Sequence, residues 1–192
     1  QMHSLMKDYP GEIRRQGRKT HIDDALSLWS EFFPHRKVEL AELADYGEII
    51  WNKVEMLPRG YCHNDLHSNN MMLRSKDIYF FDFDSASIEH PMFDAVTVCD
   101  RMDFWSVSDT QVEETKRLLY LFANEYNKYG HLSDEELSSY FYCLAVRHYR
   151  LHGISGRIPI TGSAYITEQW FDNLITWLRD FRELTDKSFS VL

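Results

Sequence analysis

The sequence is poor in cysteine, glycine and proline, and each shortage excludes a class of protein. The three cysteines are an odd number and form no Cys-x-x-Cys pair, so they fit neither a disulfide framework nor a zinc cluster. Eight glycines and five prolines in 192 residues exclude collagen-like sequences and proline-rich linkers. We therefore expect packed, reduced thiols at Cys62, Cys99 and Cys143, and a cytoplasmic protein.

Long apolar runs and an excess of positive charge are also missing. No apolar run approaches the roughly 20 residues of a membrane-spanning helix, and the first residues lack the apolar segment of a signal peptide. Lys and Arg number 21 against 30 Asp and Glu, which gives a net charge of −9. Because such a surface repels phosphate backbones, we expect no nucleic-acid partner and no membrane partner. The same charge attracts cations, either metal ions or an amine-bearing substrate.

What the sequence does contain is apolar and aromatic residues, 44% and 15% of the chain, which excludes intrinsic disorder. Apolar residues recur at three- and four-residue steps, the spacing of one helix face. The predicted helices cover residues 23–33, 38–57, 108–130, 133–153 and 164–184, and a predicted loop covers 153–162. Two helix starts have the spacing of a capping box, Ser108 with Gln111 and Ser133 with Glu136.

The middle of the chain has a different pattern. Two short apolar runs, 71–73 and 78–81, flank the polar stretch 74–77. This pattern predicts a small β-hairpin. The fold class expected is therefore α+β and mostly α.

The residues that can carry chemistry lie on either side of this hairpin. Asp65 and Asn70 precede it, and Asp82 and Asp84 follow it. Because the hairpin folds the chain back, we expect Asn70 and Asp82 to lie side by side. Carboxylate and amide oxygens suit a hard cation such as Mg²⁺, and Asp65 is placed to orient a substrate hydroxyl and accept its proton.

The arrangement resembles the kinase pattern, in which a loop H-x-D-x-x-x-x-N is followed by a metal-binding Asp after a pair of strands. His63, Asp65 and Asn70 match the loop and Asp82 matches the metal-binding Asp. Only 11 residues separate Asp82 from Asp94, which leaves no room for a protein-kinase activation segment. The sequence is therefore similar to the aminoglycoside phosphotransferase and choline kinase superfamily, whose members phosphorylate small molecules on a kinase-like fold.

This resemblance implies roles for individual residues and two cofactors, Mg²⁺ and ATP. It makes Asp65 the catalytic base, with Asn70 and Asp82 as metal ligands. Asp84 becomes a second acidic ligand, although a role as a turn residue is an equal alternative.

Two further residues are implied to support the loop: His63 packs beneath it, and Asp94 is the buried Asp that braces it. The remaining histidines, including His148 and His152, are expected at the surface or at interfaces.

The acceptor is expected to be a small alcohol, amine-bearing in preference to a neutral sugar, such as an aminoglycoside, choline or a homoserine-like compound. The candidate substrate residues are His67, Asp103, Trp105, Trp170 and Asp172. Aromatic faces near carboxylates suit an ammonium group. The alternative is that Trp170 and its helical neighbours form a core stripe.

No Gly-rich phosphate loop and no strand Lys precede Asp65. We therefore expect residues 1–192 to form the C-terminal lobe of such a kinase, with the nucleotide lobe absent from this chain and the chain alone inactive. The surface that would meet that lobe is expected to be apolar and to permit a homodimer. Two alternatives are a non-catalytic remnant that binds a ligand or partner, and a haloacid-dehalogenase-like phosphatase built around 78–84.

Overall fold

The computed structural model describes residues 2–9, 11–155 and 166–189, without the side chains of residues 8, 188 and 189. The α-helices are α1 (Met2–Leu5), α2 (Asp24–Phe32), α3 (Lys37–Val54), α4 (Met92–Cys99), α5 (Asp109–Tyr126), α6 (Asp134–Ser138), α7 (Tyr140–Ser155) and α8 (Glu168–Phe189). The strands are β1 (Gly60–Cys62), β2 (Met71–Arg74), β3 (Asp77–Phe80) and β4 (Ser87–Glu89). The predicted loop after Ser155 and the predicted first residues of the last helix, including Ala164, lie outside the described residues.

Helix α7 lies at the centre of the helical core, where it packs against α2, α3 and α4. Most of its apolar side chains are buried, with Phe141 2% exposed and Leu144 fully buried. Gly153 allows α7 to approach α2 closely, because a Cβ at this position would lie 2.8 Å from the Cβ of Ala25. The close approach holds α7 in one position relative to the rest of the core.

The strands form two separate two-stranded antiparallel sheets, β1 with β4 and β2 with β3. The predicted hairpin is confirmed, and Arg74 pairs with Asp77 across a two-residue turn. Ser75, the first turn residue, has a φ of 59°, which fits the mirror-image turns that match strand twist in short hairpins. Several apolar side chains of the hairpin face outward, including Leu73, which is 72% exposed, and Ile78, which is 58% exposed.

The helical predictions are mostly confirmed, with local corrections. The helix predicted over 133–153 is interrupted at Ser139. There the Ser139 hydroxyl donates to the carbonyl of Glu136, a local bond that competes with regular helix geometry. The helix predicted to reach Gly130 ends at Tyr126. The capping box of Ser133 and Glu136 is present with both of its reciprocal hydrogen bonds.

Burial differs from the apolar pattern of the sequence at two kinds of position. On α3, Ala44 is exposed, while Tyr46 is 5% exposed in the core. Histidines expected at the surface are buried at four positions, His21, His90, His148 and His152. Within the described residues, no helix combines the length and the apolar character that crossing a membrane requires.

Candidate active site

The loop that carries Asp65 begins at the end of β1, and its backbone is fixed by one side chain from α4. The N–H groups of His63 and Asn64 donate to the two carboxylate oxygens of Asp94, at 2.8 and 2.7 Å. Asp94 is 1% exposed, so these bonds form away from water. A charge-assisted pair of this kind holds the start of the loop in one position.

Asn64 has a φ of 63°, in the left-handed region. Asn occupies this region more readily than most residues, because its short polar side chain makes local hydrogen bonds. The Asn64 amide donates to the hydroxyl of Ser87 on β4. These two features explain why Asn stands between His63 and Asp65. The backbone turns at Asn64 and leaves Asp65 at the mouth of a cleft.

The N-terminal helix also supports the loop through His3. Nε2 of His3 lies 2.9 Å from Oδ2 of Asp94, and Nδ1 lies 2.8 Å from the hydroxyl of Tyr126 on α5. His63 lies beneath the loop, with its Nε2 3.0 Å from the carbonyl oxygen of Phe81. These contacts join α1, α5 and the residue before Asp82 to the Asp65 loop.

Asn70 connects Asp65 to the hairpin. Its Nδ2 donates to the carbonyl of Asp65 at 2.9 Å and to Oδ2 of Asp65 at 3.2 Å. The carbonyl of Asn70 accepts a hydrogen bond from the N–H of Phe81 at 3.2 Å. Asp82 is the next residue, so the hairpin brings Asn70 and Asp82 together, and Asp82 itself has a φ of 62°.

The side chains beside this junction have the donor chemistry of a divalent-cation site. Because Nδ2 of Asn70 is used by Asp65, Oδ1 remains as the free end of the amide. The carboxylates of Asp82 and Asp84 are exposed and make no hydrogen bond or ion pair with any residue in the described ranges. Three oxygen donors of this type suit Mg²⁺ better than a softer metal ion.

His67 faces Asp65, with its Nε2 3.4 Å from Oδ2 of Asp65. Nδ1 of His67 accepts a hydrogen bond from the N–H of Asn69 at 3.2 Å. In the neutral ring the proton is therefore assigned to Nε2, on the side of Asp65. His67 is thus placed to hold the carboxylate of Asp65 from one side.

Asp65 opens into a cavity of about 240 Å³ between the loop and helix α7. Polar lining residues include Asn64, Ser85 and Thr97, and two cations, Arg147 and Arg150, come from α7. Burial lowers the pKa of both guanidinium groups. Sequence reasoning missed these arginines, although their three-residue spacing on one helix face was a usable signal.

The other candidate substrate residues do not line this cavity. Trp170 is 5% exposed and lies edge-on to Trp105 at 5.6 Å between ring centroids. The carbonyl of Asp103 accepts a hydrogen bond from Nε1 of Trp177, and the carboxylate of Asp172 pairs with Arg36 at 2.8 Å. Trp170 and Trp177 therefore belong to the core stripe of α8.

The fold and this loop define the class of protein. Residues 1–133 match the model of the phosphotransferase enzyme family that includes the aminoglycoside phosphotransferases, and the chain belongs to that family. Asp82 follows an antiparallel hairpin, so the phosphatase alternative, which needs parallel strand–helix units, is wrong for the described residues.

Individual relatives cover the chain to different extents. A 68-residue stretch, 35% of this chain, is 31% identical to Protein LicA of Haemophilus influenzae (strain ATCC 51907 / DSM 11121 / KW20 / Rd), where it covers 23% of that protein. A second Haemophilus influenzae LicA matches at the same identity over 18% of its length. The solved structure of amicoumacin kinase hAmiN in complex with AMP-PNP, Ca²⁺ and Ami superposes with a TM-score of 0.66 over 97% of this chain, at 21% identity.

The chain spans about half of that kinase, 55% of its length, and less than a quarter of either LicA protein. At 21% identity, the likeness to the solved kinase shows the fold.

Proposed function

We propose that this chain is the catalytic lobe of a small-molecule kinase that transfers the γ-phosphate of ATP to a hydroxyl group. The observation that carries the proposal is the direct hydrogen bonding of Asn70 to Asp65, at the start of the hairpin that ends beside Asp82. This hydrogen bonding supports a site in which the proposed proton acceptor and the proposed metal ligands are positioned by the same loop and hairpin.

In this proposal Asp65 orients the acceptor hydroxyl and takes its proton. The hydroxyl oxygen forms a bond to the γ-phosphorus of ATP, the bond to the β–γ bridging oxygen breaks, and ADP leaves with that electron pair. Asn70 holds the carboxylate of Asp65 through its Nδ2, and Nε2 of the His67 ring approaches the same carboxylate. The chemistry is mostly positioning, which suits a loop whose backbone is fixed by Asp94.

Oδ1 of Asn70 and the carboxylates of Asp82 and Asp84 would hold Mg²⁺. The ion, when bound, supplies charge neutralisation for the phosphate oxygens. Asp82 and Asp84 are exposed at the end of the hairpin, and the positive φ of Asp82 turns the chain directly after β3. These features support a metal site that faces the nucleotide.

We assign residues 1–192 to the C-terminal lobe, with the nucleotide held mainly by a second lobe. The outward apolar side chains of the hairpin support this assignment, because Met72, Leu73 and Ile78 are more than half exposed. Exposed apolar patches of this kind mark surfaces that meet another surface.

The test is product formation by the full-length protein that contains this chain. The protein is incubated with Mg²⁺, γ-labelled ATP and a panel of small hydroxyl compounds, and the label is followed into an organic phosphate ester. We expect labelled ester with at least one compound and none when Mg²⁺ is chelated. Binding of panel compounds without any phosphoryl transfer would contradict the proposal and favour the non-catalytic alternative.

A further inference from the structure

The wall of the cavity opposite Asp65 is positively charged. Arg147 and Arg150 lie three residues apart on α7, so both side chains emerge on the same face of the helix. Among the described residues that line the cavity, Asp65 carries the only carboxylate.

Arg147 is incompletely paired. Within the part of the chain that the structure describes, it makes no hydrogen bond and no ion pair, and its Nε is buried without an acceptor. Arg150 donates one N–H to Oε1 of Gln16 at 3.0 Å. Burial lowers the pKa of each guanidinium, and the charge of Arg147 lowers the pKa of Arg150 further.

Several other arginines of the protein are neutralised by direct ion pairs. Arg36 binds three carboxylates, including Glu39 at 2.9 Å, and Arg117 pairs with Glu114 at 2.7 Å. Within the described residues, no carboxylate forms a direct ion pair with Arg147 or Arg150, and Asp65, Asp100 and Glu89 act on these two guanidinium groups only through space. Each group therefore loses hydration in the half-closed cavity without gaining a hydrogen-bonded anion, which is unfavourable. A bound anion would remove this penalty.

The guanidinium group is suited to anions that offer two neighbouring oxygens. Its planar fork of N–H donors matches the two oxygens of a carboxylate or of a phosphate. The volume of about 240 Å³ is below the roughly 300–1,000 Å³ of pockets that hold drug-sized ligands. The ligand is therefore a small molecule.

Resting on the phosphotransferase function proposed above, we propose that the acceptor is a small hydroxyl compound carrying an oxyanion, a carboxylate or a phosphate, which Arg147 and Arg150 bind while its hydroxyl faces Asp65. This reverses the charge that the sequence favoured, since the acids and tryptophans chosen for an amine do not line the cavity. An additional amino group on the same molecule is compatible with the proposal.

The test compares matched acceptors in the full-length protein with Mg²⁺ and ATP. The carboxylate pair is 4-hydroxybutyrate against 4-hydroxybutyramide, the phosphate pair is glycerol 3-phosphate against glycerol, and 4-amino-1-butanol represents amines. In at least one pair, kcat/KM is expected to be about tenfold or more higher for the anionic member, the scale of one charge-assisted hydrogen bond. The pair that responds identifies the oxyanion.

Variants then assign the preference to the arginines. Arg150→Gln is expected to remove the preference through a higher KM for the acceptor, with the KM for ATP unchanged, and Arg150→Lys is expected to keep it. The control is Arg117→Gln, which removes an arginine on the exposed face of α5 and should change neither KM. Thermal melting of each variant confirms that it is folded.

A second readout does not depend on turnover. Inorganic phosphate and acetate are titrated in turn into ¹⁵N-labelled full-length protein, and the Nε–H signals of Arg147 and Arg150 are followed by NMR. For at least one of the two anions, we expect saturable shifts of both signals that are kept in Arg117→Gln, whereas the remaining Arg147 signal should not shift in Arg150→Gln. Unshifted signals with both would overturn the proposal.

Three kinetic results would also overturn it. The first is equal turnover within both pairs, and the second is faster turnover of 4-amino-1-butanol than of the anionic compounds. The third is a rise in the KM for ATP in Arg150→Gln, which would place the arginines on the donor phosphate. Each of these results leaves the phosphotransferase function standing. Absence of all phosphoryl transfer, with intact anion binding, would defeat that function and the acceptor role together, and would leave the arginines as an anion-binding site.

Discussion

Asn64 donates its backbone N–H to Oδ1 of Asp94 at 2.7 Å, and this bond lies inside the protein. The other oxygen of Asp94 accepts from the N–H of His63 and lies 2.9 Å from Nε2 of His3. One carboxylate on α4 therefore sets the backbone position from which Asp65 extends. The position of Asp65 therefore depends on Asp94, a residue that does not line the cavity.

Replacing Asp94 with Asn should destabilise the protein and misplace Asp65. The amide offers one oxygen where the loop needs two acceptors, and a buried donor left unpaired costs about 1–3 kcal/mol. We expect the free energy of unfolding to fall by that amount in a urea titration, and kcat to fall more than KM changes. Asp45→Asn, at an exposed position of α3, is the control. Equal stability of the two variants would contradict the bracing role of Asp94.

The positive φ of Asn64 can be separated from its side-chain bond. Asn64→Gly and Asn64→Ala both lose the bond to Ser87, but only Ala is strained at a φ of 63°. The Ala variant should be less stable than the Gly variant by about 1 kcal/mol. At Asn69, which is exposed and has no positive φ, the order should reverse. An Ala variant at position 64 as stable as the Gly variant would argue against strain there.

Asp82→Asn should raise the Mg²⁺ concentration needed for half-maximal phosphoryl transfer. Loss of the charge of a metal ligand should lower the affinity for Mg²⁺ at least about tenfold, because mutation of residues that only hydrogen-bond to a ligand already lowers metal affinity 10- to 100-fold. Activity is measured against total Mg²⁺ at fixed ATP. Asp84→Asn should shift the curve in the same direction, and an unshifted curve would make Asp84 a turn residue. An unshifted curve for Asp82→Asn would remove the metal site.

Burial of His152 predicts a stability loss in mild acid. Burial lowers the pKa of His152 well below 6.5, so the unfolded chain binds the proton more readily. The free energy of unfolding therefore falls as the pH drops below about 6.5, with a slope of up to about 1.4 kcal/mol per pH unit for this one group.

The measurement is urea unfolding at pH 7.5 and at pH 5.5. His152→Phe, which fits among the rings of Phe104, Trp105 and Trp177, should lose less stability between the two pH values than the unmodified protein. His35→Gln, at an exposed position, should behave as the unmodified protein does. An unchanged pH dependence in His152→Phe would show that this histidine titrates normally.

The elements with a strong local pattern could be predicted from the sequence. The hairpin and the helix that contains Trp170, Trp177 and Phe181 follow from apolar spacing alone, and both are present. The break at Ser139 was not predictable from periodicity, because the pattern of apolar residues continues across it. The burial of His148, which lies 3.2 Å from Asp100, depends on a partner distant in sequence.

The candidate site also contains residues that the sequence predicts and residues that it does not. Asp65, Asn70 and Asp82 lie within 18 positions of each other and carry a recognisable spacing. Arg147 and Arg150 come from a helix that starts at Tyr140, and only the packing of α7 against α2 and α4 brings them to the cavity. The three-residue spacing of the two arginines predicts that they share one face of α7, but nothing in the local sequence shows that this face meets the Asp65 loop.

The central claim is that Asp65 accepts the proton of the acceptor hydroxyl. The most direct test is phosphoryl transfer by Asp65→Asn in the full-length protein, with ATP binding measured in parallel and Asp77→Asn, an exposed hairpin aspartate, as the matched control. We expect kcat to fall about 10²- to 10⁴-fold in Asp65→Asn, ATP binding to be kept, and Asp77→Asn to retain full activity. Undiminished kcat in Asp65→Asn would contradict the central claim.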